Sequence, residues 1–273
     1  MPSLDKASFQ AIAELMHRTV GLVFADSKQQ FVEMRLSGRV RALNLPSYRH
    51  YFERIADANE DGEFQIAVDL LTTNETYFFR EQAHFDLLER EWARLPRRPI
   101  TVWSAASSFG DEVYSLAMLL SDLQLKGQVA PGWSVSGTDI SDRALREAVR
   151  GVYPESRLRN VSPERLRRHG LRSEQEHEHA GEWQVGPELR SRVRFGRVNL
   201  CEPFEDMGRF DVVLLRNVLI YFDSATRLQV VDRVLQQLRP GGLFLLGIGE
   251  GRVASSYPLE VVAPGAWRLV NED

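Results

Sequence analysis

An α/β fold, a mostly parallel sheet with helices on both faces behind a small all-helical domain, is predicted by three features of the chain. The first roughly ninety residues carry apolar side chains at helical spacing. After "PRRP" the pattern changes to strand and helix in alternation. With 273 residues and 43% apolar composition, the chain can fill a real core.

In order, "SFQAIAELMHRTVG" places Phe9, Ile12, Ala13, Met16 and Val20 on one helical face, with Gly21 as the stop. A second helix is expected from Asp26-Ser27, either of which can cap it, with Val32, Leu36, Val40 and Leu43 as its apolar stripe. Beside that stripe lie Lys28, Arg35 and Arg39. From Lys28 to Arg54 there are six basic residues and two acidic ones, an excess that suits an acidic partner, although a solvated helix face explains it as well.

The helix "HFDLLEREWARL" runs into "PRRP", which puts a domain boundary near Pro96: a helical domain and linker helix over 1–95, and an α/β domain over 96–273. There, "ITVWSAA", "WSVSGTDI", "RVRFGRVNL", "FDVVLLRNV" and "GLFLLGIGE" read as strands, and "GDEVYSLAMLLSDL", "SDRALREAVR" and "ATRLQVVDRVLQQLR" as helices. The alternation fails between Gly151 and Arg197, where a small antiparallel β insertion is expected over about 172–197. "VVAPGAWRLV" suggests a hairpin at the sheet edge, turning at Pro264-Gly265.

Composition removes several classes of function. A formal charge of −4 argues against a general nucleic-acid binder. Cys201 is the only cysteine, so no intrachain disulfide and no four-cysteine zinc site can form, which fits a reducing compartment. The start "MPSLDKASFQ" lacks a signal-peptide pattern, and no apolar run approaches the ~20 residues that cross a bilayer; a cytoplasmic location without membrane insertion is expected. His177 and His179 sit in a hydrophilic run at loose spacing, so they are read as an exposed turn and no metal is assigned.

In an open parallel sheet, ligands sit beyond the carboxyl ends of the strands. The first such end, "WSAASSFGDE", has small residues before a helix N-terminus, but its single Gly110 matches the dinucleotide phosphate loop poorly. Asp111 and Glu112 suit the helix dipole, and they would repel a pyrophosphate and attract a cation. Asp139, in "SGTDI", can accept ribose hydroxyls or simply cap the next helix. Asn199 at the third end can donate to and accept from a purine edge. Arg216, Asn217 and Tyr221 follow the fourth. A carboxylate for a cation, another for ribose and an amide for adenine together describe S-adenosylmethionine.

The stretches "LTTNETYFFRE", "WSAASSFGDEVYSLAM", "GTDIS", "VNL", "RNVLIYFD" and "LRPGGLFLLG" resemble the chemotaxis receptor (CheR-type) methyltransferases over nearly the whole chain. The resemblance implies a class I methyltransferase (Rossmann-like) sheet with a small N-terminal helical domain and an antiparallel β insertion that docks a receptor tail in some members. It also implies methyl transfer from S-adenosylmethionine to receptor glutamates, leaving S-adenosylhomocysteine. Residue by residue, it implies that Asn74 and Thr76 contact the cofactor, that Arg80 lies near the methyl donor, that Glu112 faces the methionine amino group, and that Asp139 binds ribose. Asn199, Leu200, Arg216 and Asn217 become cofactor-pocket contacts, and Tyr221 stands beside the transferred methyl. Where the family usually reads Thr-Gly-Glu-Glu-Pro, this chain has Phe109 to Val113, and "GIGEG" replaces a more polar segment near the C-terminus.

A glutamate acceptor is already ionised at neutral pH, so alignment rather than a general base is required. Arg80 and Tyr221 are the expected catalytic residues, and Lys28, Arg35 and Arg39 are expected to steer the glutamate-rich cytoplasmic helices of methyl-accepting receptors toward them. The enzyme is expected to be a monomer, and without a tetratricopeptide extension after Asp273, partners recruited that way are not expected. Two rival readings remain: a small-molecule methyltransferase, and a non-catalytic module that binds S-adenosylmethionine or S-adenosylhomocysteine.

Overall fold

The computed structural model describes residues 2–57, 62–92, 98–172, 182–204, 207–251 and 255–270. Helix α1 (Lys6–Val20) starts where Asp5 accepts the Ser8 amide at 2.9 Å. It stops at Gly21, whose φ of 73° lets its N–H reach the His17 carbonyl. Only glycine fits there, because a Cβ would sit 2.5 Å from Cys201 Sγ. Phe9, Ile12, Met16 and Val20 are buried, and Ala13 is half-buried.

Helix α2 (Gln29–Ala42) follows a single tight turn at Asp26–Lys28. Contrary to expectation, neither Asp26 nor Ser27 caps it: the capping positions are Ala25 and Lys28, without a side-chain bond, because the tight turn shifts the start of α2 past both. Val32, Leu36 and Val40 are buried as the stripe requires, while Leu43 falls at the C-cap. Helices α3 (Tyr48–Ala56) and α4 (Glu63–Leu71) complete one apolar core with α1 and α2.

Helix α5 (Gln82–Trp92) leads to the α/β part, and the expected boundary near Pro96 lies outside the described residues. Strands β1 (Thr101–Ala105) and β2 (Ser134–Asp139) flank helix α6 (Asp111–Leu125), and α7 (Asp142–Arg150) follows. Next come β3 (Val152–Pro154), α8 (Pro163–His169), β4 (Gly170–Arg172), β5 (Glu182–Val185) and α9 (Pro187–Arg190). The last elements are β6 (Val193–Arg197), β7 (Phe210–Leu215), α10 (Ser224–Leu235), β8 (Leu238–Leu246), β9 (Leu259–Ala263) and β10 (Ala266–Leu269).

The large sheet has the order β6-β2-β1-β7-β8-β10-β9. Its first five strands run parallel, whereas β10 is antiparallel to both β8 and β9, so the expected hairpin does form the sheet edge. The apolar run "FDVVLL" of β7 is buried throughout, as a central parallel strand must be when helices cover both faces.

The small antiparallel sheet has the order β3-β5-β4, drawing on residues 152–185 rather than the expected 172–197. Val193–Arg197 instead pairs with β2 at the edge of the large sheet. Packing explains the placement: Phe195 lies against Tyr114 of α6 with ring centroids 5.7 Å apart and over Gly137, where a Cβ would clash with it at 2.9 Å. Tyr153 and Trp183 from the small sheet meet Phe78 edge-on at 4.9 and 6.0 Å, which anchors the insertion to the linker. Among the described residues, no helix is long and apolar enough to cross a membrane.

Candidate functional site

The carboxyl ends of β1, β2, β6 and β7 share one edge, and each leads into a loop held by local hydrogen bonds. After β1, Ala106 and Ser108 take φ values of 66° and 51°, and Gly110 takes 86°. Such left-handed conformations are uncommon for residues with a Cβ and persist where surroundings impose them. Asp139, at the end of β2, supplies part of that constraint. Its Oδ2 accepts the Ser108 amide at 2.7 Å and its Oδ1 the Ser141 amide at 2.9 Å. Burial still raises its carboxyl above the ordinary range, against the lowering by those amides.

The linker approaches from the other side. Phe78 and Phe79 are buried, and the Phe79 amide donates to Ser115 Oγ at 2.9 Å. Phe79 and Glu81 again have positive φ, 54° and 59°. Thus, among the described residues, five of the six such non-glycine residues, counting Asn217 at 59°, lie in the linker, the β1 loop and the β7 loop, leaving only Asn44 elsewhere. The backbone departs from relaxed geometry where these three segments converge.

Arg216 ties them together. Its Nη1 lies 3.0 Å from Glu112 Oε2, and its Nη2 lies 3.2 Å from Glu81 Oε2 and donates to the Arg80 carbonyl. Glu112 Oε1 accepts the Ser104 hydroxyl at 2.7 Å. Glu81 also accepts the Asn217 side-chain amide at 3.2 Å and the Ile248 N–H at 3.1 Å. Although burial alone would raise the Glu81 carboxyl, Arg216 and these donors outweigh it and hold it below its ordinary value. Glu250 accepts N–H groups from Asn217, Leu219 and Gly247 at 2.6, 2.8 and 2.8 Å, and thereby fixes the β7 loop.

These segments enclose a cavity of about 220 Å³. The linker contributes Asn74, Thr76 and Arg80, and Glu112 and Asp139 come from the first two strand ends. Asn199 and Leu200 follow β6, while Arg216, Asn217 and Tyr221 follow β7. All ten expected cofactor and catalytic positions therefore share one cavity. Asn199 does so with its amide partly engaged: its Nδ2 donates to Thr19 O at 2.8 Å and its Oδ1 accepts the Cys201 N–H at 3.1 Å. The first bond ties the loop to the helical domain and the second lies within the loop, and the amide keeps one N–H and one oxygen lone pair beyond them.

Lys28, Arg35 and Arg39 do not line the cavity. Arg39 makes a two-pronged pair with the buried Glu63, at 2.9 and 2.6 Å, so it serves the helical core more than an exposed face. Lys28 and Arg35 lie 5.9 and 5.1 Å from the Phe31 ring. His177 and His179 fall outside the described residues.

Sequence reasoning missed three supports of the site. Glu81 stood inside the quoted "LTTNETYFFRE", and Glu250 inside "GIGEG", but hydrogen bonding to distant amides leaves no periodic trace. Ser107, the third, lines the cavity with a buried hydroxyl that has no hydrogen-bond partner. An unpartnered buried hydroxyl at a cavity wall suits a polar ligand.

A parallel sheet whose strand ends bring carboxylates, small strained loops and hydrophobic walls to one cavity defines a nucleoside-cofactor enzyme, here an S-adenosylmethionine-dependent methyltransferase. The chain belongs to the CheR methyltransferase family: residues 74–261 match its SAM binding domain and residues 7–72 its all-alpha domain. It is 38% identical over 250 residues to a chemotaxis protein methyltransferase of Escherichia coli, with 91% of this chain and 85% of that one covered. A chemotaxis protein methyltransferase of Salmonella typhimurium is 39% identical, with the same coverage of 91% and 85%. Chemotaxis protein methyltransferase 2 of Pseudomonas aeruginosa is 39% identical over 257 residues, covering 92% of this chain and 89% of that one.

Proposed function

We propose that this enzyme methylates glutamate side chains in the cytoplasmic helical region of methyl-accepting chemotaxis receptors. The products are glutamate methyl esters and S-adenosylhomocysteine, and the enzyme works in the cytoplasm as a monomer. The observation that carries this reading is that Arg80 and Tyr221 line the same cavity as Glu112 and Asp139.

The residues fit S-adenosylmethionine, which supplies an electrophilic methyl group on a sulfonium. Glu112 offers its remaining lone pairs to the ligand's ammonium end, with Arg216 fixing the carboxylate's orientation. Asp139, held by two amides, keeps acceptor capacity for ribose hydroxyls, and the Ser107 hydroxyl provides a further polar contact. Asn74, Thr76, Asn199, Leu200 and Asn217 form the rest of the cofactor wall.

Arg80 donates one N–H to the Glu75 carbonyl at 2.8 Å, which leaves the rest of its fork for the acceptor carboxylate. The Tyr221 hydroxyl hydrogen-bonds to the Thr73 side chain, and burial raises its pKa, so it stays a neutral donor at physiological pH. Together they hold an already ionised nucleophile in line without removing a proton.

Calorimetry with S-adenosylmethionine, followed by labelled-methyl transfer to receptor cytoplasmic fragments, tests the proposal. A methyl ester releases labelled methanol in mild base, whereas a methylated amine does not. Cofactor binding without base-labile transfer to any fragment would remove the glutamate assignment.

A further inference from the structure

Beside the cofactor cavity, and sharing the wall formed by residues 74–77 and Arg80, lies a second and more open cavity of about 360 Å³. Its remaining lining is Arg157 and Arg159, from the turn that follows β3. We infer that the cationic cup formed by Arg80, Arg157 and Arg159 around Tyr77 binds a second carboxylate of the acceptor protein, next to the glutamate that receives the methyl group. This inference rests on the protein-glutamate reading above and adds a specificity subsite to it.

The cup is organised by aromatic rings. The Arg159 guanidinium lies 4.5 Å from the Tyr77 ring centroid and that of Arg80 lies 6.0 Å from the same ring. A guanidinium over an aromatic face is attracted to the ring while its in-plane N–H groups remain available to a carboxylate. Arg157 is fixed separately, 4.4 Å from the Phe109 ring and 3.2 Å from Asp111 Oδ2. Its backbone carbonyl also accepts the Phe78 amide at 3.3 Å, which ties the turn to the linker.

Charge selects the occupant. Asp111 answers Arg157, and among the described residues Glu75 is the only carboxylate in the lining, so the cup holds a local excess of positive charge in a chain of net charge −4. Among the described residues, Arg159 is exposed and has no carboxylate partner. Such a cup beside the Arg80 side of the cavity faces whatever flanks the acceptor. On a helix, residues three or four apart have Cβ atoms roughly 5–6 Å apart. A glutamate at that spacing from the acceptor glutamate therefore falls within reach of the neighbouring cup.

The test measures steady-state methylation of a receptor cytoplasmic fragment by the full chain and by Arg159→Gln and Arg159→Glu variants. Because Arg159 is exposed, the variants are expected to keep the unaltered melting temperature and S-adenosylmethionine affinity. KM for the fragment is expected to rise about tenfold for Arg159→Gln, the loss of one charge-assisted pair, and further for Arg159→Glu, with kcat little changed. Replacing the glutamates three and four residues from the acceptor by glutamine should raise KM for the unaltered enzyme similarly, with no added effect on Arg159→Gln. Lysine at those fragment positions should recover part of the Arg159→Glu loss. Unchanged KM in both variants, while the unaltered enzyme methylates the fragment, overturns the subsite alone. Absence of base-labile transfer by the unaltered enzyme overturns the glutamate reading and the subsite with it.

Discussion

Arg216 Nη1 stands 3.0 Å from Glu112 Oε2, and the same guanidinium, 2% exposed, reaches Glu81 at 3.2 Å. One buried cation thus balances two carboxylates from different segments, the start of α6 and the linker before α5. The arrangement leaves a single net negative charge, with Glu112 free to accept on its cavity side. Packing thereby joins the two walls of the cavity through an ion-paired centre, in which the Arg216 Nε keeps no partner, rather than through apolar contact alone.

Arg216→Ala should remove that centre and strand two partly buried carboxylates. Breaking a buried pair by deleting one partner costs about 3–5 kcal/mol. The expected outcome is a lower midpoint in urea unfolding and loss of measurable S-adenosylmethionine binding by calorimetry. Arg216→Lys, which keeps the charge but not the fork, should retain more stability than affinity.

Much of this site was legible in the sequence, and the reasons are uneven. Alternating strands and helices located the carboxyl ends of β1, β2, β6 and β7, and with them Glu112, Asp139, Asn199 and Arg216, because ligand position follows from topology in parallel sheets. The linker residues came from a resemblance, since no periodicity marks "TTNETYFFR". Pairing was not legible: nothing local in "QAIAELMHRTV" says that Thr19 will take the Asn199 amide, or that Arg39 will find Glu63. The insertion was misplaced because three-residue strands such as Val152–Pro154 are too short to show a period of two.

Asn199→Ala tests the structural role of that residue. It deletes a donor to the Thr19 carbonyl and an acceptor for the Cys201 amide. Stability should fall by about 1–3 kcal/mol, the range for a part-buried carbonyl or amide left without its partner. Cofactor affinity should change less than stability, since the bonds formed by this amide lie within the protein. A large drop in affinity with unchanged stability would assign the remaining positions of the amide to the purine.

Tyr221→Phe keeps the ring but deletes the hydroxyl that meets Thr73. With the hydroxyl aligning the acceptor, kcat should fall by about tenfold, the worth of one hydrogen bond, at unchanged cofactor affinity. Because burial raises this phenol's pKa, the wild-type rate should show no loss from tyrosine ionisation up to about pH 9. Steady-state rates across pH for both proteins check it.

Arg39→Glu is expected to act through folding. The substitution sets two carboxylates against each other where a two-pronged pair held Glu63, a residue only 4% exposed. Destabilisation of about 3–5 kcal/mol should accompany any loss of methylation. Lys28→Glu, at an exposed position, is the cleaner test of steering. It should reduce methylation of an acidic fragment at low salt, and the difference from wild type should shrink as ionic strength shortens the screening length.

Asp111 gives the protein a predictable response to acid. Burial, opposed by Arg157, raises its carboxyl to about 6 from the unfolded value of 3.8. The native state therefore holds this proton more tightly than the unfolded chain does. Its contribution to stability is greatest below the unfolded pKa and declines as pH rises through the folded one. Asp111→Asn removes that dependence, so relative to wild type the variant should gain up to ~3 kcal/mol between about pH 4 and about pH 7, measured by urea unfolding. A difference that stays flat across that range would mean that Arg157 fully offsets the burial. The same variant should weaken the acceptor cup, because Arg157 loses the carboxylate that holds it 3.2 Å away. A higher KM for the receptor fragment in a more stable protein would explain why an ionisable group is kept at a fully buried position.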